Sequence, residues 1–181
     1  MLKQLGAPVG LLLLCATAAS AQPRDFQVLK DVAATVDRYT QFTIFDDVNA
    51  AVKDGAVTLT GSVTMPYKRD DIAKRVAQID GVTSVRDDIR VLPVSQFDDE
   101  LRYRIARSIY SHSNFWNYAI MPNPPIHIVV EHGRVTLTGV VNSNIDRVLA
   151  RSLATQFGAF SVTNDLKTDA EVQALLEKQS E

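Results

Sequence analysis

Cysteine is almost missing from this sequence: Cys15 is the only one in 181 residues. It lies at the end of the apolar run Leu11–Leu14, which follows the single positive charge of Lys3 and precedes Ala19-Ser20-Ala21, a small-x-small cleavage pattern. These residues read as a secretory signal over 1–21, with the mature chain starting near Gln22. Once the leader is cut, the mature chain has no thiol, which excludes a disulfide, a cysteine metal site and a thiol nucleophile. Lipoprotein anchoring at Cys15 is disfavoured because Leu14 stands where a lipobox wants a small residue. Long apolar runs are absent too. Nothing beyond the leader approaches the ~20 residues that span a bilayer, so the mature protein is expected to be soluble or peripheral, without a transmembrane segment.

A basic excess is also lacking. The formal charge is −2, and −3 after loss of Lys3; this is a poor basis for nucleic-acid binding. The three histidines, His112, His127 and His132, have no metal-ligand spacing. The pairs Asp46-Asp47, Asp70-Asp71, Asp87-Asp88 and Asp98-Asp99 are adjacent in sequence, so the two members of each diverge on a helix or strand. They read as solvated faces and caps. The sequence predicts no enzyme, no catalytic residue, no metal and no cofactor.

What is present is a repeat. Asp54-Gly55-Ala56-Val57-Thr58-Leu59-Thr60-Gly61-Ser62-Val63 returns as His132-Gly133-Arg134-Val135-Thr136-Leu137-Thr138-Gly139-Val140-Val141, at an offset of 78. One module is written twice, so features kept by both copies point to fold, and features of one copy to use.

In copy one, Val28, Val32 and Val36 mark an amphipathic helix over Gln27–Thr40. Val48, Ala50 and Val52, the turn pair Asp54-Gly55, and Val57, Leu59, Gly61 and Val63 predict a β-hairpin with one buried face. Thr64 is a candidate N-cap before Pro66; Ile72, Ala73, Val76, Ala77 and Ile79 carry a second helix up to Gly81. A third strand holds Val85, Ile89 and Val91 and ends at Pro93. Copy two repeats this order. Its first helix starts at Asp98-Asp99-Glu100 with Leu101, Ile105 and Ile109 inward; Ile126, Ile128 and Val130 form the first strand. Ile145, Leu149, Leu153 and Phe157 line the second helix before Gly158, and Val162 and Leu166 lie on the third strand. A tail helix over Asp169–Lys178 has no counterpart in copy one.

The hairpin frames, with Gly81-Val82 and Val85 in copy one and Gly158, Val162 and Asn164 in copy two, resemble a tandem of BON domains, modules named from bacterial osmotically inducible and nodulation proteins. Copy two departs at Ala159, where the family pattern prefers Val. The resemblance implies an α+β fold of two α-β-β-α-β modules, each with two helices packed on a three-stranded mixed sheet. It also implies residence in the periplasm and a role in envelope integrity or osmotic-stress tolerance through phospholipid surfaces, with no shared catalytic residue. The expected organisation is a signal at 1–21, a first domain at 22–94, a second at 95–168 and a helical tail at 169–181.

The glycines Gly55, Gly61, Gly81, Gly133, Gly139 and Gly158 are assigned to structure. Gly55 and Gly133 serve turns, and Gly61 and Gly139 mark a bulge or a close helix contact. Use is expected where the copies differ. Aligning Phe42 with Phe115, an offset of 73, and winding the helix at ~100° per residue places Tyr103, Arg107, Tyr110 and Asn114 on one outer stripe flanked by Arg104. Copy one has Lys30, Ala34, Asp37 and Gln41 there. Copy two then carries five extra residues before its first strand, within Trp116-Asn117-Tyr118-Ala119-Ile120-Met121-Pro122-Asn123-Pro124-Pro125. This stretch is either a lid on the core or an exposed wedge, and Trp116 falls at the edge of the inner face. Tyrosines and arginines suit an interfacial layer over anionic lipid. The binding set is therefore Tyr103, Arg104, Arg107, Tyr110, Trp116, Tyr118, Ile120 and Met121, facing an anionic phospholipid surface or, alternatively, an envelope protein in an interaction or chaperone-like role.

Overall fold

The structure, a computed structural model, describes residues 21–180, with side-chain surroundings given for 24–175. The proposed leader and Cys15 lie outside that range, apart from Ala21. Copy one runs α1 (Ala21–Asp37), β1 (Asp47–Lys53), β2 (Ala56–Val63), α2 (Pro66–Val76) and β3 (Ser84–Val91). Val28, Val32 and Val36 recur every fourth residue, so they share one face of α1, and all three are buried. They meet Val57, Leu59 and Val63 from β2 and Ile72 and Val76 from α2 in one core. Asp54 and Gly55 both take positive φ, 52° and 76°, as a two-residue turn matched to strand twist requires. That turn sets Lys53 opposite Ala56, and β3 then joins β2 in parallel with Val85 opposite Val57. The sheet order is β1-β2-β3, with one antiparallel and one parallel pair.

Copy two follows with α3 (Gln96–Tyr110), α4 (Trp116–Ala119), β4 (Ile126–Glu131), β5 (Arg134–Val141), α5 (Asn144–Ala154), β6 (Ser161–Asn164), β7 (Lys167–Thr168) and α6 (Asp169–Ser180). The two sheets make the fold α+β with tandem modules, as the sequence predicts. In place of the single third strand of copy one, β6 and β7 are two pieces, both parallel to β5, separated by Asp165-Leu166. Asp165 N still donates to Leu137 O at 2.8 Å, and Leu166 is buried.

Several local expectations change. Met65, not Thr64, occupies the N-cap of α2, without a side-chain bond, because the Thr64 hydroxyl donates to Asp46 Oδ1 instead. Ser95 caps α3 by accepting from Asp98 N, so that helix starts before the acidic cluster. The carboxylate of Asp98 turns away from the helix and accepts from His132 N and Gly133 N, both at 2.8 Å. Asp25 does the same for Asp54 N and Gly55 N at 2.8 and 2.9 Å. One acid on the first helix thus pins each hairpin turn. On α5 the fully buried positions are Ala150 and Ala154, whereas Ile145, expected inside, is exposed. Gly61 and Gly139 mark a close approach of backbone to backbone, not of a helix. A Cβ on Gly61 would overlap the carbonyl of Asp47, and one on Gly139 the carbonyl of Pro125.

The modules are joined along the approach to β1. Ile44 and Phe45 of copy one pack against the core of copy two. Ile128 N donates to Ile44 O at 2.6 Å, and His127 Nδ1 lies 2.7 Å from Asp46 O, to which it donates because a carbonyl can only accept. Phe42 lies against the His127 ring at 5.3 Å, and Thr138 Oγ1 donates to Asp47 Oδ1 at 2.9 Å. Arg90 reaches Glu131 at 3.2 Å.

Candidate functional site

In copy two the chain between α3 and the first strand folds into a 3₁₀ turn and a single turn of α-helix. His112 caps a short 3₁₀ turn over Ser113–Phe115, accepting at Nδ1 from Asn114 N at 3.3 Å, and α4 follows directly. Such a short helix cannot hold itself together in water, so its inner face must be anchored by packing. Phe115 and Tyr118 do this. Both are buried, their rings 5.9 Å apart, and the Tyr118 hydroxyl accepts from Asn142 N at 2.8 Å, which fixes α4 to the start of α5.

With Phe115 and Tyr118 inside, the intervening and following residues face outward. Trp116 is 64% exposed, Ile120 69% and Met121 45%. Trp116 is therefore a surface residue. Exposure of a large aromatic and two aliphatic side chains within six residues is the kind of patch that marks a contact surface. Ile145 and Val148, 74% and 61% exposed, open the helix to which Tyr118 is tied. The sequence reading placed Ile145 inward and left Val148 aside. A signal was there: once Ala150 and Ala154 are counted with residues 145, 148, 149 and 153, the apolar side chains cover about 240° of α5, too widely for one buried face.

The stripe on α3 is not continuous. Tyr103 is 66% exposed but meets Phe45 of copy one edge-on at 5.2 Å, beside the joint between modules. Arg104 pairs with Glu100 one turn earlier, both side chains largely in solvent. Arg107 is exposed and makes no ion pair among the described residues. Tyr110 turns inward: its hydroxyl donates to Ile126 O at 2.6 Å and accepts from Ile126 N at 3.2 Å, and burial pushes its pKa up. Burial likewise raises Tyr118. These two phenols fasten β4 and the chain just before α5. The outward set is Tyr103, Arg104, Arg107, Trp116, Ile120 and Met121.

The histidines do not converge: His112 caps a turn, His127 bridges the modules and His132 sits in the second hairpin turn. Among the described residues no group of three or more His, Cys, Asp or Glu could hold a metal ion, and no helix is long and apolar enough to cross a membrane.

No curated protein matches the chain. Among solved structures it is similar to CdsD, a structural protein of the Type III secretion system of Chlamydia trachomatis, with 13% identity over 81% of this chain and 97% of that one and a TM-score of 0.30. The C-terminal domain of CdsD gives 13% identity over 75% and 96%, with a TM-score of 0.27. A family model described as the BON domain matches twice, over residues 26–93 and 98–170. The two matches fall on the two copies of the repeated module, and the chain accordingly belongs to the BON-domain family, a membership that supports a periplasmic, envelope-associated binding protein.

Proposed function

We propose that this protein binds anionic phospholipid surfaces through copy two and thereby supports envelope integrity or osmotic-stress tolerance. In this reading the leader over 1–21 is removed on export, the domains are 22–94 and 95–168 with a tail at 169–181, and copy one holds copy two in place. The observation that carries it is the outward triad Trp116, Ile120 and Met121, on and just after a short helix that copy one lacks. Tryptophan prefers the headgroup layer, and its aliphatic neighbours gain ~25 cal/mol for each Å² withdrawn from water. Arg107, without a carboxylate partner among the described residues, adds attraction of about 1 kcal/mol toward an anionic leaflet.

Sedimentation with phosphatidylglycerol vesicles tests the reading. The full chain is expected to co-sediment at low salt and far less with phosphatidylcholine, and the pair Trp116→Ala, Ile120→Asp should lower the partition coefficient at least tenfold, about 1.4 kcal/mol. Arg107→Glu should weaken binding and flatten its salt dependence. Undiminished binding by the Trp116→Ala, Ile120→Asp variant would move the contact elsewhere.

A further inference from the structure

A second candidate site lies at the joint between the two modules, whose Phe42, His127 and Thr138 form part of its wall. A cleft of about 550 Å³ opens there, bounded by Leu29, Ala33 and Val36 of α1 on the copy-one side and by Val140 and Val172 on the copy-two side. Its size suits a ligand pocket, and clefts between domains are favoured places for one. Copy one also lines it with Asp47, Val48, Asn49 and Ala50, four successive residues of β1. Successive strand residues point to opposite faces of a sheet, so a cleft that meets four in a row meets the strand along its edge. Among the described residues that edge has no strand paired to it: β1 is the outer strand of its sheet, with β2 as its neighbour, and the bonds from copy two end at the main-chain oxygen of Asp46 and the side chain of Asp47, leaving the backbone from Val48 onward open.

The charge around the cleft is one-sided. Asp37, Asp47 and Asp165 line it against the single ammonium of Lys167, and none of the four is in an ion pair among the described residues. An unpaired strand edge, an apolar lining and an acidic surround ask for an occupant with free backbone groups, apolar side chains and positive charge. We propose that this cleft binds an extended peptide segment of alternating apolar and basic residues, which adds as a strand to the free edge of β1. The site is distinct from the membrane surface, and neither proposal depends on the other.

A dye-labelled peptide of alternating valine and lysine, followed by fluorescence anisotropy on the full chain, tests it. Saturable binding is expected, with amide shifts in the NMR spectrum centred on Asn49 and Ala50, and no binding of the peptide with glutamate in place of lysine. Ala33 is exposed within the cleft, so Ala33→Trp should fill the space, leave the melting curve unchanged and weaken the peptide at least tenfold, about 1.4 kcal/mol. Binding of that variant to phosphatidylglycerol vesicles should stay at the parent level, which separates this site from the surface on α4. Asp37→Lys with Asp165→Lys should weaken the peptide by a similar factor. Equal binding by Ala33→Trp, or by a peptide N-methylated along one edge and then the other, would overturn the proposal, as would uptake of dodecyltrimethylammonium with no binding of the peptide.

Discussion

Copy one secures the chain leaving its second strand with a carboxylate, and copy two secures the same place with a phenol. In copy one Asp46 accepts from Thr64 N at 2.7 Å; in copy two Tyr118 accepts from Asn142 N, the matching position, at 2.8 Å. The carboxylate does much more than the phenol. It also accepts from the Thr43 amide and hydroxyl, the Thr64 hydroxyl and Lys68 Nζ at 2.6 Å, and both ions are almost completely buried. Its own main-chain oxygen meanwhile takes the His127 bond from copy two. Copy two has Asp146 where copy one has Lys68, and uses it to accept from the N-cap Ser143 hydroxyl. One frame therefore tolerates two anchors: an ion pair that also orders the joint, or a phenol on an inserted helix whose other side is free for contact.

The comparison can be broken hardest at Asp46. Asp46→Ala strands a buried ammonium and should cost about 3–5 kcal/mol in urea unfolding, whereas replacing both partners together, Asp46→Leu with Lys68→Met, leaves no stranded charge and should cost less, its remaining penalty being the Thr43 and Thr64 amides that lose their acceptor. Acid sharpens the contrast. Burial alone would raise the Asp46 pKa, but the bonds from Lys68, Thr64 and Thr43 outweigh it and hold the carboxyl below its ordinary 3.8. A pKa lowered by folding gives stability that is present above the ordinary value and lost as pH falls through the lowered one. The parent chain should therefore lose stability more steeply than the Leu–Met variant below about pH 4. Alkali acts in the opposite sense on Tyr110 and Tyr118. Their raised pKa values give stability present below the ordinary 10 and lost above it.

The hairpin pins differ by degree. Asp98 and the Gly133 amide it holds are buried, while Asp25 holds a more open turn. Asp98→Ala should cost about 2–3 kcal/mol, because it leaves a buried amide without a partner, and Asp25→Ala nearer 1 kcal/mol. Smallest is Tyr118→Phe, which removes one hydroxyl and keeps the ring: a loss of about 1 kcal/mol, read as faster hydrogen exchange at Asn142.

The module was readable in the sequence because its signals are local. The Asp-Gly and His-Gly turns, the alternation of Val57, Leu59 and Val63, and the four-residue spacing of Val28, Val32 and Val36 act within a few residues. Asp25 and Asp98 were readable in principle: they share the offset of 73 that aligns Phe42 with Phe115, yet an acid near a helix start has a simpler local explanation, the helix dipole. Tyr110 could not be placed from its own helix. Winding α3 puts it outside, and only the path of the following segment brings Ile126 to its hydroxyl. The split of the segment around α4 into buried Phe115 and Tyr118 and exposed Trp116 and Ile120 likewise depends on Asn142, distant in sequence. The seam between modules left no sequence signal, since Ile44 and Phe45 bury against a core that begins more than fifty residues later.

Trp116 is the only tryptophan in the chain, and it sits on the helix proposed to touch lipid, so its fluorescence reports on the central claim without any added label. Titration of the full chain with phosphatidylglycerol vesicles should shift its emission to the blue and make it quenchable by brominated acyl chains, with little change on phosphatidylcholine. An emission maximum that stays fixed at saturating phosphatidylglycerol would contradict the account.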